Sequence, residues 1–304
     1  MISLLVAIVA AYLGLVAVLA AFQGRLIYPA PPAREAAPGF TPIGLHTADG
    51  LAITAGYRPA REGFPTVLFF HGNGMVWPDS ADVTELLAAR GYGLLLAEYR
   101  GYNGNPGTPS EEGLYKDGRA ALAWLEAQGV PSSEIVLAGL SVGSGPAVQL
   151  ATETRPRALI LVSPLASLPD TVSKAYPWLP TRWLLRDRYD NLAKLPRVDA
   201  PVLILHGASD TLIPVASAEQ LARAKPRARN SSGCLAVATT WPGRRWSSAS
   251  SSSFSKDLAT RLLLGGCPPP AARRLRPGPR GRGPGAYRGA SISSPAGLAP
   301  APPR

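Results

Sequence analysis

Acidic residues are nearly missing from the last quarter of this 304-residue chain. Residues 229–304 contain 12 Lys and Arg but a single acidic residue, Asp257, whereas residues 1–228 contain 19 residues of each sign. The net charge of +11 therefore belongs to the tail. A nucleic-acid-binding domain carries its basic surface on the folded part, so we expect no nucleic-acid partner.

Cysteine is also scarce. Both cysteines, Cys234 and Cys267, lie in the tail, so cysteine usage gives no information on the redox compartment of the first 228 residues. The sequence has no metal-binding or nucleotide-binding motif, and we expect no cofactor.

The N-terminal segment lacks charge. Ile2–Phe22 is a run of 21 uncharged residues, long enough to cross the hydrocarbon layer as a helix. The alternative is a cleaved signal peptide with Val18–Ala20 as its cleavage site. The long apolar stretch and the absence of a preceding Lys or Arg favour an uncleaved anchor. Arg25 and Arg34 follow the segment and favour a cytoplasmic location for the rest of the chain.

Short apolar runs alternate with amphipathic segments through the middle of the chain. Five runs resemble buried strands: PTVLFFHGNG, GYGLLLAEYRGY, EIVLAGLSVG, RALILVSP and APVLILHGASD. Segments with helical spacing follow at 79–90, 111–128, 144–152 and 216–224, with Asp79 or Ser80 capping the first and Ser110 the second. This alternation predicts an α/β fold with a mostly parallel sheet covered by helices on both faces.

One segment interrupts the alternation. LASLPDTVSKAYPWLPTRWLLRDRYDNLAKL lies between the fourth and fifth apolar runs and contains two Trp and two Tyr. We interpret this stretch, at about residues 165–195, as a small lid over one end of the sheet.

The motif G-x-S-x-G occurs at residues 139–143, directly after the third apolar run and before a helical segment. Such a strand-turn-helix presents a serine hydroxyl at the carboxyl edge of a sheet, and its glycines avoid collisions between neighbouring Cβ atoms. Ser141 is therefore a candidate nucleophile. The following helix adds backbone N–H groups, that of Val142 among them, and a positive dipole end.

Two further turns supply candidate partners for this serine. His71-Gly72-Asn73-Gly74 ends the first apolar run, and the Asn73 N–H could form an oxyanion hole with the Val142 N–H. The alternative is that His71 and the glycines only form a tight turn. Asp210 follows the last apolar run, where a carboxylate that orients a base is expected, although an aspartate there can also serve as a turn residue.

In these motifs the chain resembles the α/β-hydrolase superfamily, in its membrane-anchored branch of serine aminopeptidase-like and bud-emergence-type hydrolases. The resemblance covers about residues 22–226 and is carried, in family order, by FQGRLIYPAP, HGNG, EYRGYNGNPGTPSEEGLYKD, GLSVGSG, YPWLPTRWLLRDRYDNL and PVLILHGASDTLIP. It implies acyl transfer to water from an ester, thioester or amide, with a small-molecule, lipid or peptide acyl substrate.

The resemblance also implies residue roles. Ser141 matches the nucleophile, Asp210 the triad acid, and Asn73 with Val142 the oxyanion donors. His206 matches a strand-end histidine beside the acid that is not the triad base. The remaining matches are to scaffold positions: Tyr99, Arg100 and Asp117.

Histidine is absent after residue 206, and the other two histidines are His46 and His71. After the acid, the family pattern requires a strand, a Gly-His-Asp-Leu or Gly-His-Asn-Asp-Leu loop carrying the base, and a closing helix. The chain instead continues with RNSSGCLAVATTWPGRRWSSASSSSFSKD. Four interpretations compete: a solvated, disordered extension, a basic arm for nucleic acid or anionic lipid, a divergent enzyme or pseudoenzyme, and a change of reading frame near residue 228.

The frame change can be examined from the residues. When translation starts at the third base of each codon, the codons of Cys234 to Gly243 can encode Pro-Gly-Gly-Gly-His-Asp-Leu-Ala-Gly. This sequence contains the missing loop, near the expected distance from Asp210. The abrupt charge change and the Arg, Pro, Gly and Ala content of the tail point the same way. We therefore favour a triad histidine that is encoded but not translated.

The sequence thus predicts an N-terminal membrane anchor at 1–24, an α/β-hydrolase domain at 25–228 and a basic, out-of-frame tail at 229–304. We expect the sheet to end at the strand Pro201–His206, with the final strand and helix replaced by a disordered tail. The predicted function is that of a serine hydrolase whose activity is impaired because the triad histidine is missing. The alternative is a non-catalytic, membrane-anchored protein whose basic tail binds anionic partners.

Overall fold

The computed structural model describes residues 1–207 and 210–225 and the backbone of 235–238. Eight strands in these residues form one sheet: β1 Thr41–His46, β2 Ala52–Arg58, β3 Thr66–Phe70, β4 Gly93–Leu96, β5 Ile135–Leu140, β6 Ala158–Val162, β7 Val202–Leu205 and β8 Leu235–Ala238. The α-helices in the same residues are α1 Ile2–Ile27, α2 Trp77–Arg90, α3 Glu111–Ala127, α4 Ser144–Glu153, α5 Leu168–Ala175, α6 Thr181–Leu184, α7 Asn191–Lys194 and α8 Val215–Ala224.

The strands lie in the order β1-β2-β4-β3-β5-β6-β7-β8. The pairs from β4 to β8 are parallel, which confirms the predicted mostly parallel sheet. The chain runs from β3 outward to β4 and then back to β5 on the other side of β3. Ligands of such sheets bind at the carboxyl ends of the strands where the order reverses, so β3 and β5 mark the expected site.

The sheet is covered on both faces by apolar side chains. All five residues of β3 are buried, as parallel strands between two helical layers require. Leu68 and Phe70 belong to the larger core cluster, whereas Val67 and Phe69 belong to the smaller one on the opposite face. This alternation follows from the two-residue period of a strand.

An antiparallel hairpin precedes the parallel strands, and the sequence analysis missed it. β1 pairs with β2 from Thr41↔Tyr57 to His46↔Ala52, and β2 pairs antiparallel with β4. β1 is largely exposed, so it lacks the apolar run by which the other strands were predicted. The available signal was Asp49-Gly50, a hairpin-turn dipeptide whose glycine has φ +85°.

The expectation that the sheet ends at Pro201–His206 is wrong. β8 pairs parallel with β7 from Val202↔Leu235 to Leu205↔Ala238. The expectation followed from the loss of the family pattern after Asp210, whereas pairing requires only a short run, here Leu-Ala-Val-Ala, beside unpaired backbone groups of β7. The expected disorder of the tail and the loss of the final helix lie outside the described residues.

The predicted helices α2, α3, α4 and α8 are present, and the first two begin at identifiable caps. Ser110 Oγ accepts from the Gly113 N–H at 3.1 Å and caps α3, as predicted. In α2 the cap position is Val76, whose N–H donates to Asp79 Oδ2 at 3.0 Å. Asp79 therefore satisfies the start of α2 from the third helical position rather than from the cap.

Helix α1 has a mean hydropathy of 2.8 in its most apolar stretch, and no residue of that stretch is buried. By length and composition it could cross a membrane. The helix ends before Pro29, since a residue that precedes proline avoids the α conformation. Tyr28 accordingly has φ −120° and ψ 69°.

Arg100 joins the hairpin to α3 in a buried ion-pair network. Its guanidinium donates to Asp117 Oδ1 at 2.8 Å and to Asp49 Oδ2 at 2.8 Å. Hydrogen bonds from Arg100 lower the pKa of Asp49, whereas burial raises the pKa of Asp117. These contacts agree with the scaffold role implied for Arg100 and Asp117.

Replacing Asp117 by Asn should lower the free energy of unfolding by about 3 kcal/mol, because the buried guanidinium of Arg100 loses a charged partner. The matched control is Glu153→Gln. Glu153 pairs with Arg119 at 2.7 Å, but both side chains are partly exposed, so the expected loss is below about 1 kcal/mol. Urea unfolding in detergent measures both, and equal losses would contradict a structural role for the Arg100 network.

Candidate active site

Ser141 lies on a sharp turn between β5 and α4. Its φ of +53° is in the left-handed region, which non-glycine residues rarely adopt. A Cβ at Gly139 would lie 2.3 Å from the Gly143 carbonyl oxygen, and a Cβ at Gly143 would lie 2.3 Å from the Phe70 carbonyl oxygen. Both glycines are therefore required by the close approach of backbone to backbone. The strained turn leaves Ser141 partly exposed among buried neighbours.

The turn after β3 packs directly against this serine. A Cβ at Gly72 would lie 3.5 Å from the Ser141 Cβ. The Asn73 N–H has no backbone acceptor within the part of the chain that the structure describes. The structure thus brings Ser141 next to the turn that carries Asn73. Val142 follows Ser141 directly in the chain. These are the residues predicted to form the nucleophile and the oxyanion hole.

A buried carboxylate that the sequence analysis missed holds this turn. Glu98 Oε1 lies 2.7 Å from His71 Nε2 and also accepts from the Tyr99 N–H at 3.0 Å, while Oε2 accepts from the Trp77 N–H at 2.8 Å. The Tyr99 hydroxyl donates to the His71 carbonyl oxygen at 2.8 Å. Both side chains of the His71–Glu98 pair are fully buried. These contacts therefore hold the His71 side chain within the turn after β3.

Hydrogen bonds also connect the turn Gly139–Gly143, which we call the elbow, to residues 165–195, which we call the lid segment. Ser144 Oγ donates to the Ser141 carbonyl oxygen at 2.5 Å and accepts from Asn191 Nδ2 at 3.0 Å. Asn191 is fully buried and also donates to the Leu165 carbonyl oxygen at 3.0 Å. Neither Ser144 nor Asn191 was selected from the sequence, because no local pattern signals a pairing across 47 residues.

Asp210 lies in the turn after β7, at the same edge of the sheet as Ser141. Its Oδ1 accepts from the N–H groups of Leu212 at 3.0 Å and Ile213 at 2.9 Å, and its side chain is 21% exposed. Its Oδ2 lies 3.9 Å from His206 Nε2. The carboxylate therefore has the turn role of the alternative interpretation, and both backbone N–H groups that it binds within the described residues donate to Oδ1.

The three histidines of the chain all lie within the described residues, and none hydrogen-bonds to Ser141. His46 is on the exposed strand β1, at the opposite edge of the sheet from β8. His206 Nε2 lies 2.7 Å from the Ile213 carbonyl oxygen, and the ring is fully buried. The described residues also contain no cluster of three His, Cys, Asp or Glu that could hold a metal ion.

Replacing Gly143 by Ala should lower the free energy of unfolding by about 1–3 kcal/mol, because the new methyl group would collide with the Phe70 carbonyl. Gly44→Ala is the control, since nothing lies within 4 Å of its Cβ position and its φ is not positive. Denaturant unfolding of the two variants tests this. A Gly143→Ala protein as stable as Gly44→Ala would show that the elbow tolerates a side chain there.

Comparison with known proteins gives one family. The model of the serine aminopeptidase S33 family matches residues 62–193. An uncharacterized protein of Mycobacterium tuberculosis is 40% identical over 215 residues, which cover 67% of this chain and 76% of that protein. The alpha/beta hydrolase domain-containing protein 17B of Homo sapiens is 34% identical over 155 residues, covering 49% of this chain and 51% of that protein.

Solved structures agree on the fold. The esterase Pf2001 of Pyrococcus furiosus has a TM-score of 0.61 at 18% identity, covering 77% of this chain and 98% of its own. An alpha-beta hydrolase of Vibrio vulnificus has a TM-score of 0.59 at 22% identity, covering 75% of this chain and 81% of its own. The fold, the glycine elbow and the relatives lead to one conclusion: the chain belongs to the serine aminopeptidase S33 family of the α/β-hydrolase superfamily.

Proposed function

We propose that this member of a hydrolase family is a serine hydrolase that transfers an acyl group from an ester, thioester or amide to water through Ser141. The observation that carries the proposal is the left-handed backbone of Ser141 at φ +53°, held between glycines that admit no Cβ. A non-glycine residue in this conformation costs about 1–3 kcal/mol, and such strain is concentrated at functional sites. A structural turn would avoid the cost by placing glycine at position 141.

The proposed chemistry uses backbone N–H groups, rather than side chains, to stabilise the developing charge. As Ser141 Oγ attacks the acyl carbon, negative charge develops on the carbonyl oxygen. The N–H groups of Asn73 and Val142 would stabilise this charge, because Val142 follows the serine and Asn73 follows Gly72, whose Cβ position lies 3.5 Å from the Ser141 Cβ. The N-terminus of α4 adds a positive partial charge on the same side.

Asp210 is proposed as the triad acid, because the backbone N–H groups of the described residues that bind its carboxylate both donate to Oδ1. Its natural partner would be an imidazole between it and Ser141, yet His46, His71 and His206 are all placed elsewhere. We therefore propose that the chain as written lacks the general base. Removing one triad member leaves only the catalysis provided by the oxyanion hole and by binding, a loss of about 10⁴ to 10⁶ in turnover.

A change of reading frame near residue 228 explains the missing base. The codons for Cys234 to Gly243 permit Gly-His-Asp-Leu in the shifted frame, with the His codon made from the bases of Ala238, the last residue of β8, and Thr239. The coding DNA for residues 225–245 tests this directly. We expect the shifted frame to read Gly-His-Asp-Leu there. Third bases that spell other residues would contradict the frame change.

Ester hydrolysis by three versions of the protein tests the function: the chain as written, a chain translated in the shifted frame from about residue 228, and that second chain with Ser141→Ala. We expect turnover only in the second, because only that version has both nucleophile and base. If the chain as written hydrolyses esters as fast as the second, and Ser141→Ala abolishes the activity, another group serves as base. If all three are inactive, a non-catalytic role with a basic tail is favoured.

We also propose that α1 anchors the protein in a membrane as an uncleaved helix, with the rest of the chain on the cytoplasmic side. Its length and hydropathy support this, since 26 residues exceed the length needed to cross a bilayer.

Extraction of membranes with alkaline carbonate checks the anchor. We expect the full chain to remain in the pellet, because an apolar helix of this length does not leave the bilayer when peripheral proteins do. The control is the same chain with Leu5, Leu13 and Val18 changed to Lys, which should be released. Release of the unchanged chain into the supernatant would rule out anchoring by α1.

A further inference from the structure

The His71 ring makes two hydrogen bonds, and one of them reaches the backbone of its own turn. Nδ1 lies 2.9 Å from the Gly72 carbonyl oxygen, and Nε2 lies 2.7 Å from Glu98 Oε1. A carbonyl oxygen only accepts, so the hydrogen of the first bond is on Nδ1. This assignment holds whichever atom carries the hydrogen between Nε2 and Glu98. The ring therefore donates to the Gly72 carbonyl.

The direction of this ring is fixed by its surroundings. The side chains of His71 and Glu98 are fully buried, and Glu98 in turn accepts from the N–H groups of Trp77 and Tyr99. The centroid of the Tyr99 ring lies 4.2 Å from that of the His71 ring. A ring that is packed on one face and bonded at one nitrogen keeps its other nitrogen in a fixed direction.

The Gly72 carbonyl belongs to the same peptide unit as the Asn73 N–H, which is the proposed oxyanion donor. This unit is planar and trans, so its carbonyl and its N–H point in opposite directions, and a partner that orients one also orients the other. A hydrogen bond accepted by the carbonyl also polarises the unit and strengthens the hydrogen bond that the N–H donates. His71 thus acts on the Asn73 N–H through the peptide bond.

The same peptide unit adjoins the elbow. A Cβ at Gly72 would lie 3.4 Å from Leu140 Cγ and 3.5 Å from the Ser141 Cβ. The Asn73 side chain is occupied at the end of α1, where its Nδ2 donates to the Ile27 carbonyl oxygen at 2.6 Å. The group that Asn73 offers to a substrate beside Ser141 is therefore its backbone N–H.

We propose that His71 is a positioning residue: it orients and polarises the Gly72-Asn73 peptide so that the Asn73 N–H donates to the developing oxyanion, and Glu98 holds the ring for this role. The inference rests on the proposed hydrolysis through Ser141. It differs from a turn role in one respect. A histidine that only stabilised the turn could do so through either nitrogen, whereas positioning requires donation from Nδ1.

Two substitutions separate the roles of the two ring nitrogens. In His71→Asn the side-chain amide takes the place of Nδ1, so it can still donate to the Gly72 carbonyl, but it is too short to reach Glu98. In His71→Gln the longer side chain reaches toward Glu98 and leaves the Gly72 carbonyl without its donor. Both variants remove the ring, so each serves as the control for the packing lost in the other.

The NMR signal of the Gly72 carbonyl tests the contact in the full chain, in detergent, labelled with carbonyl-¹³C glycine and ¹⁵N asparagine. Only a Gly-Asn pair correlates the two labels, and the sequence has two, Gly72-Asn73 and Gly104-Asn105. We expect the Gly72 signal to move upfield in His71→Gln, to stay near its original position in His71→Asn, and the Gly104 signal to stay unchanged in both. An unchanged Gly72 signal in His71→Gln would overturn the proposal.

The histidine rings of the unchanged chain provide a measurement that needs no folded His71 variant. The chain has three histidines, and replacing His46 and His206 one at a time by Gln identifies the ¹⁵N signals of His71. We expect these signals to show a hydrogen on Nδ1. An Nδ1 without hydrogen could not donate to Gly72 and would overturn the proposal outright.

Turnover tests the consequence for the reaction. Ester hydrolysis by the full chain is measured with added imidazole as the base, and the rate of the matching Ser141→Ala chain is subtracted. We expect His71→Gln to lose at least about ten-fold in kcat with little change in KM, less than the loss of about 10² to 10³ caused by deleting an oxyanion donor, and His71→Asn to retain most of the rate.

Two outcomes of the turnover measurement have different meanings. Equal kcat values for His71→Asn and His71→Gln would overturn the positioning role of His71. A parent chain without any Ser141-dependent rate would instead overturn the proposed hydrolysis, and the positioning of an oxyanion donor with it. The Gly72 signal then still shows whether Nδ1 orients the peptide, so the two failures are distinguishable.

Discussion

The candidate site depends on the contact between the turn that carries Ser141, after β5, and the turn after β3. Gly143 approaches the Phe70 carbonyl so closely that no side chain could stand between them. This contact requires adjacent parallel strands, because only then do two strand ends meet at one edge of the sheet. Next to this contact Ser141 adopts a left-handed conformation, and the Cβ position of Gly72 lies 3.5 Å from the Ser141 Cβ. The candidate nucleophile and oxyanion donors follow from this one approach.

The surrounding structure stabilises that arrangement from three directions. Glu98 holds His71 and the start of α2, and Asn191 reaches the elbow through Ser144. Tyr189 packs against α4 and meets Tyr28 at the end of α1. A strained turn persists only where its surroundings over-determine it. These partners come from the lid segment, α1 and the sheet, so the candidate site depends on elements that are far apart in the sequence.

The parallel strands and the elbow could be predicted because their signals are local. A strand buried on both faces is a continuous apolar run, and a glycine pattern between strand and helix identifies the turn. The rest depended on partners that a local pattern does not reveal. β1 is exposed and carries no apolar run, and β8 was found only through its pairing with β7. Glu98 resembles any acidic residue after a strand in the sequence, and only the structure shows its contacts with His71 and with the N–H groups of Trp77 and Tyr99.

We propose that the candidate site of the chain as written lacks only an imidazole. Rescue by added imidazole tests it most directly, through the rate of ester hydrolysis measured against imidazole concentration for this chain and for its Ser141→Ala variant. Free imidazole hydrolyses esters by itself, so the difference between the two proteins is the informative quantity. We expect the difference between the two rates to increase with imidazole concentration and then to saturate, because imidazole bound in the site acts as the general base for Ser141. Equal rates for the two proteins at every concentration would contradict it.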